Sequence, residues 1–280
     1  MPTTAVLFPG QGSLTPESPD HARAACPELV QLATELVGGD PFMGVHERTD
    51  HAQPAIFLAS MAGWRERADE LTDVVAMAGH SLGELSALAA AGAVSVEDAL
   101  RLVVLRGRLM QQAAQGNGGG MVALLGGDPA DAQRLAAELA LTVANDNAPG
   151  QLVLSGPLAG VEALTRSARE RGFKAMQLDV AGAFHSPIVA SAREPFLAAL
   201  REVQWSEPSV PVISGATVSP FTDPPQQLAD ALVGAVRWRE VMTALFDLGA
   251  REFVDVGPGH VLARLVRRNL PELEQHALAG

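Results

Sequence analysis

The stretch Asp73-Val74-Val75-Ala76-Met77-Ala78-Gly79-His80-Ser81-Leu82-Gly83-Glu84-Leu85 decides the fold of this chain. Val74 to Met77 is a short apolar run that stops at a glycine, so it reads as a buried strand. An alanine-rich helix pattern follows Gly83. A serine set between two glycines at a strand-to-helix turn fits a nucleophile elbow. The turn is too tight for side chains beside the serine, and it lifts the Ser81 hydroxyl out of the sheet. The same turn aims the backbone N–H of Leu82 at a developing oxyanion. Ser81-x-x-Glu84 also has the form of a plain capping box, so the segment alone leaves both readings open.

Upstream, Thr4–Phe8 reads as an apolar strand that breaks at Pro9-Gly10-Gln11-Gly12, with helical patterns around 20–37 and 52–69. Downstream, Ser95 with Asp98 caps a helix over about 95–114. Strands alternating with helices give an α/β fold whose mostly parallel sheet is covered by helices on both faces, as in an α/β-hydrolase. After the glycine cluster Gly116–Gly120 the pattern changes. Met121–Leu125, Leu141–Ala144, Gln151–Ser155 and Lys174–Val180 read as strands, and Pro129–Leu139 and Leu158–Arg171 as helices. That order, β-α-β-β-α-β, is the ferredoxin-like split motif. Ser186-Pro187 then opens another helix, and Val210–Ser214 and Glu252–Val256 return to strand. The expected organisation is a large catalytic domain, 1–119 and 183–280, with a small domain, 120–182, inserted in it. The cleft between them is the natural place for a site.

Composition narrows the function. With 20 basic and 32 acidic residues the 280-residue chain carries a net charge of −12, which excludes a nucleic-acid partner of the usual basic kind. No apolar run approaches the roughly 18 residues a membrane span needs. One cysteine, Cys26, permits no internal disulfide, and no basic stretch precedes Ala5–Phe8; both fit a cytoplasmic protein. Neither His-x-x-x-His nor paired cysteines occur, so no metal is expected. The Gly10-Gln11-Gly12 loop lacks the third glycine of a dinucleotide fingerprint.

Two further residues stand out. On the helix 95–114, Arg106 has Leu102, Val103, Leu109 and Met110 as its neighbours one turn away. A guanidinium on an apolar face needs a partner from elsewhere, either a distant carboxylate in an ion pair or a ligand anion such as a dicarboxylic acyl group. His185, in Gly182-Ala183-Phe184-His185-Ser186-Pro187, is a candidate base for Ser81 or a structural histidine beside a cap. Spacing alone does not separate it from the chain's other histidines, and no Asp or Glu presents itself as a third triad member.

Taken together, these segments resemble the malonyl-CoA:acyl carrier protein transacylase family, which includes acyltransferase domains of polyketide synthases. The resemblance runs through Phe8-Pro9-Gly10-Gln11-Gly12-Ser13, Gln53-Pro54-Ala55, Gly79 to Glu84, Arg106-Gly107, Asn145-x-Asn147-x-Pro149-Gly150-Gln151, Gly182 to Pro187 and Val256-Gly257-Pro258-Gly259. It implies Ser81 as the acyl-accepting nucleophile, His185 as its base, Gln11 and Leu82 as backbone oxyanion donors, and Arg106 as the anchor of the malonyl carboxylate. It also implies that a backbone carbonyl orients the histidine in place of an acid. Counted back from Gly257, that carbonyl falls on or near Leu248. The Ala183-Phe184-His185-Ser186 segment resembles malonyl-selective members. The implied partners are malonyl-CoA and an acyl carrier protein, the latter carrying its own phosphopantetheine; no other cofactor is implied, and the chain is expected to be a monomer. Because carrier proteins are usually acidic, docking needs a local basic patch, for which Arg264, Arg267 and Arg268, or Arg166, Arg169, Arg171 and Lys174, are candidates. Two departures from the family lie near the expected entrance: Leu14 where glutamine is common, and a shortened stretch between Gln11 and Gln53.

Two other readings compete. A serine esterase or thioesterase would share the elbow but needs a late histidine, for which His260 would serve, and leaves Arg106 unexplained. A catalytically idle carrier-protein-binding subunit would have no need of Ser81, Arg106 and His185 together.

Overall fold

A computed structural model describes residues 3–273. In chain order the strands and helices are β1 (Thr4–Phe8), α1 (Ser18–Ala25), α2 (Pro27–Val37), α3 (Thr49–Arg67), β2 (Val74–Gly79), α4 (Gly83–Ala90), α5 (Val96–Asn117), β3 (Gly120–Gly126), α6 (Pro129–Glu138), β4 (Thr142–Ala148), β5 (Gln151–Gly156), α7 (Leu158–Ser167), β6 (Phe173–Gln177), α8 (Arg193–Glu202), β7 (Val212–Ile213), α9 (Pro224–Ala231), α10 (Trp238–Asp247), β8 (Glu252–Asp255) and α11 (Val261–Asn269).

The first sheet runs β7-β2-β1-β8 and is parallel throughout. Its central strands β1 and β2 are almost wholly apolar on both faces, as a sheet covered twice requires. Along β1 the side chains alternate: Val6 and Phe8 enter one core with Ile56, Leu85 and Phe196, while Ala5 and Leu7 enter a second with Trp238, Val241 and Leu265. The 20–37 pattern is two helices, because Cys26 leaves helical geometry and Pro27 starts α2. Ser95 caps α5 as its spacing predicts, accepting from the Asp98 amide at 3.0 Å.

The second sheet, β4-β5-β3-β6, is antiparallel throughout and has its own core of Val122, Leu124, Leu154, Leu164 and Phe173. It is tied to the first body at β4. Val236 donates to Ala144 O at 2.8 Å and accepts from the Asp146 amide at 2.9 Å, and Arg239 Nη2 pairs with Asp146 at 2.7 Å. The last strand ends earlier than its sequence suggests. Leu178, Asp179 and Val180 leave β6 and line a cavity.

Candidate active site

The tip of β2 explains both glycines of the Gly79-x-Ser81-x-Gly83 turn. A Cβ on Gly79 would lie 1.9 Å from the carbonyl carbon of Gly83, and one on Gly83 would lie 2.0 Å from Phe8 O. Backbone stands where those side chains would go, so only glycine fits. Ser81 between them takes φ 54°, the left-handed region that side chains rarely adopt. Strain of that kind gathers at functional sites. Gly10 packs just as closely, since a Cβ there would be 2.6 Å from His80 O. The loop after β1 is thereby laid against the turn, with Gln11 and Gly12 at the rim of the cavity.

That cavity, about 480 Å³, is lined by Ser81, Arg106, Gln53 and His185 on its polar side and by Leu14, Ile56, Met110 and Phe184 among its apolar walls. Leu14 belongs to the loop after β1. Val45 and His46 come from the segment ahead of α3, so the shortened stretch builds part of the wall.

Ser81 Oγ lies 2.7 Å from His185 Nε2. On its other side, His185 Nδ1 is 2.9 Å from Ala231 O and 3.0 Å from Gly234 O. Carbonyls only accept, so Nδ1 carries the proton. In the neutral ring Nε2 is then the acceptor, and the Ser81 hydroxyl is its donor. His185 is 5% exposed; burial first, then the charge of Arg106 and the proximity of His80, lower its pKa to about 4. The ring is therefore neutral at pH 7.

Arg106 reaches the same oxygen. Its Nη2 donates to Ser81 Oγ at 3.0 Å and its Nη1 to Gln53 Oε1 at 2.7 Å. Neither partner is a carboxylate, so this guanidinium is not held in an ion pair by them. Helices α3 and α5 cross closely enough to allow this, because Gly107 has no side chain: a Cβ there would meet Asp50 Cα at 2.9 Å. Burial brings the Arg106 pKa down to about 10, partly offset by the negative charge of Glu84. Glu84, 3% exposed, is raised to about 7 by burial, against the opposing hydrogen bond from Gly215 and the charge of Arg106.

The structure brings Ser81, His185 and Arg106 together, with Gln11 and Leu82 at the same cavity. Leu82 heads α4, as an oxyanion donor should. Leu248 is a correction. It sits 49% exposed at the end of α10, and the carbonyls facing His185 belong to Ala231 and Gly234. Ala231 is the last residue of α9, where helix carbonyls lack intrahelical partners and can accept from a side chain. The histidine-orienting carbonyls thus lie at the end of α9 and just beyond it, and not at the end of α10. His260 is exposed at the start of α11 and does not line the cavity.

Two functional contributions come from residues outside the predicted site, Gln53 and the His80–Asn147 pair. Gln53, which holds Arg106, also donates through Nε2 to Thr49 Oγ1 at 3.1 Å and to Met110 Sδ at 3.4 Å. Its signal was present: a polar residue among Ala52, Pro54, Ala55 and Ile56, like Arg106 on its own helix. His80 Nε2 is 2.8 Å from Asn147 Oδ1, which links the turn to β4. The Ser81–Glu84 capping box is not made: no side chain caps α4. Both basic clusters lie on the surface. Arg264 donates to Gly259 O and Arg268 to Gln151, while Arg166 and Arg171 pair with Glu162 and Glu138.

Comparison with known proteins gives a consistent picture. Residues 18–280 match the acyl transferase domain family. A malonyl CoA-acyl carrier protein transacylase of Synechocystis is 36% identical, over 96% of this chain and 94% of that protein. Among solved structures, an acyl-carrier-protein-S-malonyltransferase from Bartonella henselae superposes with a TM-score of 0.90 at 34% identity, covering 99% of this chain and 94% of its own. A malonyl-transacylase solved in complex with its type II PKS acyl-carrier protein gives 0.89 at 30% identity, covering 99% and 94%.

Proposed function

The chain belongs to the acyl transferase domain family, and from that premise we propose that it moves a malonyl group from malonyl-CoA to the phosphopantetheine thiol of an acyl carrier protein, by way of an ester on Ser81. The observation that carries this reading is the pair of contacts on one oxygen: Ser81 Oγ lies 2.7 Å from a neutral imidazole and 3.0 Å from a buried guanidinium. The names of the relatives support the substrate and the partner.

In the first half-reaction His185 Nε2 takes the hydroxyl proton as Ser81 Oγ attacks the thioester carbonyl. The amides of Leu82 and Gln11 face the resulting oxyanion. Collapse expels the coenzyme A thiolate, which takes the proton back from Nε2. The second half runs the same steps in reverse, with the carrier thiol giving its proton to His185 and attacking the ester. Arg106 pairs with the free carboxylate of the malonyl group through a charge-assisted bond that acetyl cannot make. No step calls for a cofactor beyond the two thiols. His185 leans on two backbone carbonyls in place of a triad acid, and this favours a transacylase over the esterase reading that needs His260.

The same reading takes residues 120–182 as a ferredoxin-like domain inserted in an α/β-hydrolase-like one made of 1–119 and 183–280; the order of the four antiparallel strands with α6 and α7 supports it. It also takes the protein as a cytoplasmic monomer serving fatty-acid or polyketide synthesis. No helix among the described residues is long and apolar enough to cross a membrane. Intact-mass spectrometry after mixing with malonyl-CoA tests the core of the proposal. A malonyl adduct should form, be absent from Ser81→Ala, and discharge onto an added holo carrier protein. An adduct that survives in Ser81→Ala, or that is released only as free malonate, overturns it.

A further inference from the structure

Glu84 sits one turn beyond the nucleophile, buried and aimed away from the cavity. Its Oε1 accepts from the Gly215 amide at 2.7 Å, next to the buried Ser214. Gly215 is the hub of a second set of bonds. Its carbonyl accepts from the Arg237 amide at 2.8 Å, and Arg237 Nη1 donates to Ala216 O at 3.4 Å. Three residues before Arg237 lies Gly234, whose carbonyl holds His185 Nδ1. The loop at Gly215 is itself closed tightly, with Ser214 and Ser219, and Ser214 and Val218, joined by 2.9 Å backbone bonds. Val218, a β-branched residue, is held there at φ 57°. Such a conformation persists only where the surroundings over-determine it.

We infer that Glu84 is a positioning residue: through Gly215 and Arg237 it ties the turn bearing Ser81 to the segment whose carbonyl orients His185, so that nucleophile and base share one reference. The inference rests on the Ser81–His185 reading above. What matters in it is the reach of the Glu84 oxygen, and not its charge.

Two substitutions separate those properties. Glu84→Gln keeps an oxygen at the same distance without the charge. Glu84→Asp keeps the charge but withdraws the oxygen by one carbon–carbon bond, about 1.5 Å. Turnover is measured per acylatable site, counted by the burst of malonyl-Ser81 ester, so that any loss of folded protein does not register. Glu84→Gln should keep kcat within about twofold of the parent. A misplacement of about 1 Å can cost up to about 100-fold, so Glu84→Asp should lose about tenfold or more in kcat with little change in KM for malonyl-CoA. The reverse order would make the charge the active property and overturn the inference. So would two variants that both match the parent, or that fall together. A parent that forms no ester on Ser81 is a different failure, that of the proposed function itself.

Discussion

Replacing Arg106 with alanine separates a binding role from a structural one. The guanidinium now spends one donor on Gln53 and one on Ser81. A hydrogen bond to a charged group contributes roughly 1.5–3 kcal/mol, which is about 10- to 150-fold in kcat/KM. Arg106→Ala should lose that much with malonyl-CoA and little with acetyl-CoA; lysine, a point charge without the planar fork, should restore only part. The same variant should change the pH profile. His185 is lowered to about 4 by burial and then by Arg106, so removing the arginine raises it. The base works only when neutral. The acid limb of kcat/KM, measured with acetyl-CoA to keep the lost carboxylate contact out of the comparison, should therefore move to higher pH. Stability must be followed alongside. Gln53 Oε1 loses its donor, and an unpaired buried acceptor costs about 1–3 kcal/mol, although Gln53 Nε2 keeps Thr49 and Met110. The assay is the malonyl-to-acetyl ratio of transfer rates across pH, on protein shown to be folded. Equal losses for both substrates would make Arg106 structural. An acid limb that stays in place or moves down would refute the electrostatic part.

His185→Ala should lower kcat by orders of magnitude with a much smaller change in KM, as expected for a group that acts in the transition state; near-normal turnover would pass the role to another histidine. Gly79→Ala should abolish activity and cost several kcal/mol, because its Cβ would meet Gly83 backbone at 1.9 Å. Gly116→Ala, in the last turn of α5 with nothing within 4 Å of a Cβ, should instead raise stability by about 0.5–1 kcal/mol in a urea melt. Glu84→Gln should gain stability relative to the parent as pH rises. With its folded pKa near 7 and an ordinary value of 4.5, Glu84 holds a proton in the folded chain that the unfolded chain has released. Its contribution is full below about 4.5 and is lost as pH passes 7, whereas glutamine does not titrate. Denaturant midpoints at pH 5 and pH 8 test this, and a variant that loses ground at pH 8 contradicts it.

The parts of this site that could be read in the sequence are those where backbone geometry demands a particular residue type. Gly79, Gly83 and Gly107 are glycines because backbone occupies the space of their side chains. Arg106 was legible as a charge out of place, and the alternation of strands and helices gave the parallel sheet. Illegible were the contributions made by backbone atoms. Ala231 and Gly234 act through their carbonyls, which every residue has, so nothing in their identity points to His185. Ser81-x-x-Glu84 is ambiguous in sequence for a related reason. The spacing of a capping box is present, but tertiary partners outbid the local ones: Ser81 turns to His185 and Arg106, and Glu84 to Gly215.

The absence of an acid behind His185 bears on why the ester would be passed to a thiol and not to water. Two neutral carbonyls fix the tautomer of the imidazole but supply no negative charge to stabilise its protonated form, and Arg106 adds a positive charge nearby. Burial first, and then the Arg106 charge, leave His185 a weak base, near 4, and the hydrogen bonds to the two carbonyls offset this only in part. A thiol releases its proton near ~8.5 and water near ~15.7, so the proton transfer to such a base is uphill by about 4 to 5 units from a thiol and about 12 from water. A stronger, acid-backed histidine would lower both barriers alike, leaving their ratio unchanged but shortening the life of the ester in water. On the proposed reading, then, replacing the triad acid by the carbonyls of Ala231 and Gly234 slows the loss of the malonyl ester to water while it waits for a carrier thiol, and the preference for thiol over water comes from the thiol's own acidity.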